Sequence, residues 1–315
     1  MTPRRIAVFG ASGFIGRYVV RDLARSGAVI AACGRHASSA GFLRPMGDVG
    51  QIAPFSANLG DERALAAVVA GADVVINLVG ILYERGKQRF DVVHHKGPGQ
   101  LAAAAKSAGV KRLVHVSALA ADRNSSSVYA RSKAEGEAAV RAAFPSAIIL
   151  RPSLVFGPED NFFNRFAAMA RFSPVLPLIG GGATKFQPVY VGDVAAAIAA
   201  TLSRDDTEGK TYELAGPAVF TMRQLFELML HVIGRKRLMM SIPFGLASLE
   251  AFFLEWLPRP LLTRDQVRLL RHDSIATRGT PGLAELGITP TALELILPTY
   301  LDRFRRPGRF RPSHA

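Results

Sequence analysis

The residues whose spacing carries the most chemistry are Tyr129 and Lys133, in the run YARSK, with Ser117 twelve positions earlier at the end of LVHVS. A tyrosine and a lysine four apart share one face of a helix. An ammonium beside a phenol favours the phenolate, so the pair predicts a tyrosine of lowered pKa, suited to general acid–base work. A serine at the carboxyl end of a strand is placed to hydrogen-bond a substrate oxygen on which charge changes. Together the three predict proton transfer at an oxygen-bearing carbon, with Tyr129 as the acid/base.

A second cluster lies at the start of the chain. Gly10, Gly13 and Gly16 stand in GASGFIG, between an apolar run and a helical pattern. Glycines at this spacing let the backbone turn tightly and approach a pyrophosphate on the helix N-terminus. Ser12, Phe14 and Ile15 complete the predicted cradle. The next strand ends in Cys33-Gly34-Arg35-His36 and carries no acid for a ribose 2′-hydroxyl. Arg35 is suited to a 2′-phosphate, which favours NADP(H) over NAD(H). Asn58 and Leu59 are expected beside the adenine, and Leu78, Val79 and Gly80 along the cofactor.

The elements that must position these groups alternate. Strands are predicted at Arg5 to Phe9, Val29 to Cys33, Gln51 to Phe55, Val74 to Leu78, Leu113 to Val116 and Ile148 to Leu150. Helices are predicted at Phe14 to Arg25, Glu62 to Val69, Asp91 to Ser107 and Val128 to Ala143. Apolar strands alternating with helices predict an α/β fold, a doubly wound parallel Rossmann sheet covered on both faces. After Pro152 glycine and proline become frequent, as in FGPED and SPVLPLIGGGA, and helices then dominate. The expected division is a dinucleotide-binding domain over 1–155 with returns near 186–215. A smaller, mainly helical lobe takes 156–185 and 216–305, and a basic tail 306–315.

Composition narrows the class. The 315 residues are 49% hydrophobic and 20% charged, which is globular. Cys33 is the single cysteine, so no intrachain disulfide forms and export is not indicated. No apolar run reaches the roughly 20 residues of a membrane-spanning helix. The net charge of +14 fits acidic or phosphorylated partners, but no aromatic-interleaved basic run or reader motif points to nucleic acid. The expected location is the cytoplasm, with the inner face of a bacterial membrane as an alternative. The apolar stretch Leu238 to Leu262 holds two acids and three prolines, so it reads as an interfacial helix or as a buried helix of the smaller lobe.

GASGFIG, Ser117 with Tyr129 and Lys133, and RPSLVFGP from Arg151 to Pro158 resemble the short-chain dehydrogenase/reductase superfamily in its extended or atypical branch. The resemblance implies that the triad moves a proton while the nicotinamide moves hydride. It also implies that Lys133 holds the nicotinamide ribose and that Pro152 to Val155 pack on the nicotinamide. INLVGILYE, HVSALAAD, YARSKAEGE, LPLIGGGATKFQPVYVGDVA and LLTRDQVRLL are similar to bacterial relatives of the dehydrogenase-like accessory subunit of respiratory complex I. That likeness covers nearly the whole chain and implies a role in which NADPH is structural. One departure is His94, in HHKGP, where extended members usually carry Asn; it puts the usual proton relay in doubt and counts against a sugar-nucleotide epimerase or dehydratase. His94 and His95 are adjacent and so face different ways, a poor metal pair. Asn161, Asn164 and Arg165 are candidates to touch an unidentified small-molecule substrate or to be solvated surface. The expectation is an NADP(H)-dependent oxidoreductase, with a complex I accessory or assembly protein as the rival.

Overall fold

The computed structural model describes residues 3–305 except Arg259. The chain begins β1 (Arg5–Phe9), α1 (Phe14–Arg25), β2 (Val29–Gly34), β3 (Ile52–Ser56), α2 (Glu62–Val69) and β4 (Val74–Asn77). A π-helical turn, Asp91–Lys96, leads into α3 (Gly97–Ser107), followed by β5 (Arg112–Val116), α4 (Val128–Ala143) and β6 (Ile148–Pro152). Next come β7 (Val155–Phe156), α5 (Phe163–Phe172), β8 (Val175–Ile179), β9 (Lys185–Phe186), β10 (Val189–Tyr190), α6 (Val191–Ser203) and β11 (Thr211–Leu214). The last elements are β12 (Phe220–Thr221), α7 (Met222–Val232), β13 (Leu238–Ile242), α8 (Phe244–Leu254), α9 (Arg264–Leu269) and α10 (Leu293–Leu301).

Two compact units result. One comprises residues 3–152, Gly192–Leu214 and Arg278–Ile288. Its sheet has the order β11-β6-β5-β4-β1-β2-β3, with every pairing parallel. The order reverses between β1 and β4, and the carboxyl ends of strands at such a crevice are where ligands bind in doubly wound sheets. The core on one face joins Phe9, Val75, Leu113 and Ile149 of the strands to Leu65, Leu101, Ala105 and Val140 of the helices. Apolar strands buried on both faces are what parallel pairing requires. The segment Arg278–Ile288 enters this unit where Glu213 N–H donates to the Pro281 carbonyl at 2.8 Å. Nothing in its sequence pattern marked that return.

The other unit comprises Ser153–Val191, Ala215–Thr277 and residues 289–305. Its core is Phe163, Leu176, Leu178, Leu225, Phe226, Met229 and Leu297. Thr221 caps α7 through a reciprocal box with Gln224. SPVLPLIGGGA, given no strand in the sequence reading, contributes β8, which pairs in parallel with β13. A two-stranded sheet leaves each strand an edge, where a proline such as Pro177 is tolerated. Val155 lies in this unit. The predicted tail 306–315 lies outside the described residues.

The tightest approach in the first unit is between α4 and the π-helical turn. A Cβ on Gly136 would sit 1.8 Å from the His94 carbonyl oxygen. Backbone cannot yield as a side chain can, so Gly136→Ala is expected to cost at least about 1–3 kcal/mol. Urea unfolding measures it; an unchanged midpoint would show that the contact is soft.

Candidate dinucleotide and proton-transfer site

The glycine turn is built as its spacing predicts. Gly10 has φ +83°, and its N–H donates to the Cys33 carbonyl at 2.9 Å. A Cβ on Gly16 would lie 2.3 Å from the Gly10 carbonyl oxygen, and one on Gly10 would lie 3.1 Å from the Leu78 backbone. Only glycine lets the turn fold back on α1 and against the end of β4. Gly13 caps α1 with no side-chain hydrogen bond, and no acid stands in the first turn. The first N–H groups of α1, among them those of Phe14, Ile15 and Gly16, therefore offer an anion site of the kind a pyrophosphate occupies.

Arg35 is exposed just past β2 and makes no hydrogen bond or ion pair with a described residue. Beside it, a Cβ on Gly34 would lie 3.7 Å from Ser12 Oγ and 4.0 Å from Ser39 Oγ. Two hydroxyls thus stand beside the Gly34 position at the end of β2, next in sequence to Arg35, and Ser39 is one that sequence reasoning did not single out. Asn58 is exposed, with its Oδ1 accepting from Gly60 N–H at 3.4 Å. Leu59 is buried against the Gly97 position at the start of α3. Leu78 and Val79 are half-buried and Gly80 is exposed beyond β4.

Ser117 and Lys133 stand at the carboxyl end of β5, and Lys133 and His94 both approach the Gly80 position beyond β4. Ser117 N–H donates to the Leu150 carbonyl at 2.7 Å, while its buried Oγ has no partner among the described residues. Lys133 is buried, and its Nζ donates to the Val116 carbonyl at 3.5 Å. That ammonium lies 3.3 Å from where a Gly80 Cβ would be, and His94 Nε2 lies 3.7 Å from the same point. Tyr129 is half-buried, with its ring edge-on to His94 at 5.3 Å and to Phe90 at 5.8 Å. Pro152, buried at the end of β6, accepts from Leu119 N–H at 3.1 Å.

The electrostatics correct one expectation. Burial pushes the Tyr129 phenol up to about 12 instead of down. Burial also pushes Lys133 down to about 8, against the opposing pull of Glu137. Desolvation of the phenol itself decides the tyrosine. Glu137 is anchored by Arg151, which donates through Nε at 2.9 Å and Nη2 at 2.6 Å, and Glu213 lies 3.7 Å from Arg151 on its other side.

Four polar residues here went unassigned in the sequence. His94 is buried and accepts from Ile81 N–H through Nε2 at 3.0 Å, so its Nδ1 carries the proton and donates to Ser132 Oγ at 3.0 Å. The Ser132 hydroxyl donates in turn to the Tyr129 carbonyl at 2.8 Å. Asn77 Oδ1 accepts from Val79 N–H at 3.1 Å, and its amide donates to His115 Nδ1 at 3.1 Å. Nε2 of His115 is buried without a partner among the described residues. The signal for Asn77 and His115 was a polar residue inside an otherwise apolar strand, VVIN and RLVHV. His95 is half-buried and hydrogen-bonds Asp91 at 3.1 Å.

In the second unit Asn164 and Arg165 are committed to structure. Asn164 donates to the Pro158 and Asp160 carbonyls and accepts from Arg303 at 2.5 Å. Arg165 donates to the Leu261 carbonyl. Asp160 is buried and accepts from the Tyr300 hydroxyl at 2.5 Å. Asn161 is exposed, and Val155 is half-buried in β7.

Residues 6–215 match the model of the NAD dependent epimerase/dehydratase family. The chain belongs to that family. It is 39% identical over 313 residues to subunit 9 of the NADH dehydrogenase [ubiquinone] 1 alpha subcomplex of Arabidopsis thaliana, covering 96% of this chain and 78% of the relative. It is 37% identical over 195 residues to a ceramide reductase of Caulobacter vibrioides, covering 62% of this chain and 60% of that one. An NADPH-dependent quinone oxidoreductase of Escherichia coli, solved with NADPH, superposes with a TM-score of 0.73 at 25% identity, covering 93% and 98%. The chain is thus an NAD(P)-binding member with both complex I subunits and reductases among its relatives. Among the described residues no helix is long and apolar enough to cross a membrane.

Burial holds His94 near 2 and His115 near 3, so both stay neutral in the folded chain. The unfolded chain takes up their protons below about pH 6.5, so stability falls as pH drops through that value toward 3. Each histidine contributes a slope approaching about 1.4 kcal/mol per pH unit there. His94→Asn keeps an acceptor for Ile81 N–H and removes one titration. Urea unfolding between pH 6.5 and 4 is expected to show a shallower slope in the variant. Equal slopes would mean that His94 titrates alike in both states.

Proposed function

We propose that this protein is an NADP(H)-dependent reductase of a carbonyl group. The observation that carries the reading is the buried Ser117 hydroxyl, held without a partner among the described residues at the end of β5, beside the backbone that Lys133 touches. A buried, unsatisfied hydroxyl costs roughly 1–3 kcal/mol, and it serves if a carbonyl oxygen is what it donates to. Tyr129, held near 12, is protonated throughout the physiological range and so is a proton donor. NADPH, when bound, would supply the hydride. The glycine turn and the α1 N-terminus would hold its pyrophosphate, and Arg35 with Ser12 and Ser39 its 2′-phosphate. Lys133 would hold the nicotinamide ribose, and Pro152 would pack on the ring. Ser117 orients the substrate oxygen as Tyr129 delivers the proton to it, leaving an alcohol.

A second reading rests on the 39% identity, over nearly the whole chain, to subunits of NADH dehydrogenase. In it the protein sits on complex I at the inner face of the membrane, and its dinucleotide stabilises the fold. Co-migration with complex I on a native gel would support this reading, and absence from purified complex I would remove it.

A carbonyl panel assayed with NADPH separates the two. Tyr129→Phe is expected to lower kcat about 10²–10⁴-fold while NADPH affinity stays within a few-fold. Undiminished turnover in the variant would remove Tyr129 from the reaction. As burial holds Lys133 near 8, its ammonium is lost as pH rises through that value, and kcat/KM is expected to fall there. Arg35→Ala is expected to weaken NADPH about ten- to a hundredfold and NADH far less, by loss of a charge-assisted contact. Equal losses in titration calorimetry would reject the 2′-phosphate assignment.

A further inference from the structure

The second unit carries a helix built the wrong way round for a globular protein. Ala247 and Ala251, the small residues of α8, face inward and are fully buried with Ile179, Ile242 and Val267. The large apolar residues face outward. Leu246, Leu249 and Phe253 follow at intervals of three and four, which is one stripe of a helix, and Trp256 lies in the turn just past it. Phe253 is 65% exposed and Trp256 81%. A contiguous apolar stripe of this kind on a soluble surface marks an interaction site.

We propose that the outward face of α8 is a docking surface for the headgroup layer of an anionic lipid bilayer. Charge favours this occupant. Over residues 153–191, 215–277 and 289–305 the sequence holds thirteen Lys and Arg against nine Asp and Glu. Guanidiniums border the stripe at its aromatic rings: Arg264 stands 5.1 Å from the Phe252 ring centre and Arg271 5.2 Å from that of Phe244. Aromatic rings flanked by arginines suit the boundary between acyl chains and phosphates. The eleven residues of α8 make a helix of roughly 16 Å, about half of a hydrocarbon core, so it lies along the surface. Glu250 sits on the same outward side, and Glu255 and Asp265 are paired with Arg264 and Arg268. An exposed carboxylate within the stripe limits the depth to the headgroup layer. This inference is independent of the dinucleotide chemistry.

Trp256 is the chain's single tryptophan, so its emission reports on this face alone. The full-length protein is titrated with vesicles of phosphatidylcholine containing phosphatidylglycerol, and with phosphatidylcholine alone. With anionic vesicles the emission is expected to move to shorter wavelength, brominated acyl chains to quench it, and the protein to float with the lipid. Phosphatidylcholine alone and high salt weaken the response. The double variant Leu249→Ser, Phe253→Ser is expected to bind vesicles about a hundredfold less tightly while keeping the parent's circular dichroism spectrum and urea midpoint, which shows that it folds. Unchanged emission with no flotation overturns the proposal. So does a vesicle response that survives in the double variant, or a shift with protein concentration in the absence of lipid, which would put a second copy of the chain on this face.

Discussion

The interaction on which the site depends is one neutral imidazole. His94 accepts from the backbone just past β4, donates to Ser132 on α4, and through that hydroxyl reaches the Tyr129 carbonyl. Both nitrogens are committed and burial holds the ring uncharged, so it neither shuttles a proton nor turns. It fixes the segment after β4 against the helix that carries Tyr129 and Lys133. Asn in its place would offer an acceptor and a donor without the ring that packs on Phe90 and Tyr129. The departure from the usual family residue thus exchanges a relay for a clamp.

The clamp explains several other choices. The His94 carbonyl approaches α4 so closely that only glycine fits at Gly136. The π-helical geometry over Asp91–Lys96 inserts the extra residue of a wider turn, a feature that gathers at functional sites. Lys133, drawn into the same buried space, needs Glu137 one turn on to offset its desolvation, and Glu137 in turn needs Arg151. An unpaired carboxylate there would be costly. The polar interior is therefore one connected set from His94 to Glu213, laid against an apolar core.

How much of this was legible in the sequence follows from the range of the forces involved. The strands and helices of the first unit were readable because a parallel sheet demands apolar runs, and GASGFIG because its glycines answer to a local turn. Val128 to Ala143 was read with its ends in place, since Ser127 caps it and the apolar pattern stops where the helix does. Tertiary effects were not readable. Nothing local says that the Tyr129 phenol will be desolvated, so the lowered pKa expected from its pairing with Lys133 was wrong in sign. Asn164 and Arg165 looked free to meet a substrate, but residues 139 and 96 positions away hold them. β8 went unread because its prolines mimic a loop and its partner β13 lies about sixty residues on.

The family membership leaves two uses for such a site, and both need the same rigid frame: a reductase needs a proton donor that does not wander, and a structural dinucleotide needs a fixed bed. The central claim is that His94 is locked neutral with its proton on Nδ1. Long-range imidazole ¹⁵N–¹H correlation spectra of the full-length protein, recorded from pH 8 down to 4.5, test it most directly. The account predicts a His94 signal with Nδ1 protonated and Nε2 bare throughout that range. An imidazolium appearing near pH 6.5, or the Nε2-protonated tautomer, would contradict it.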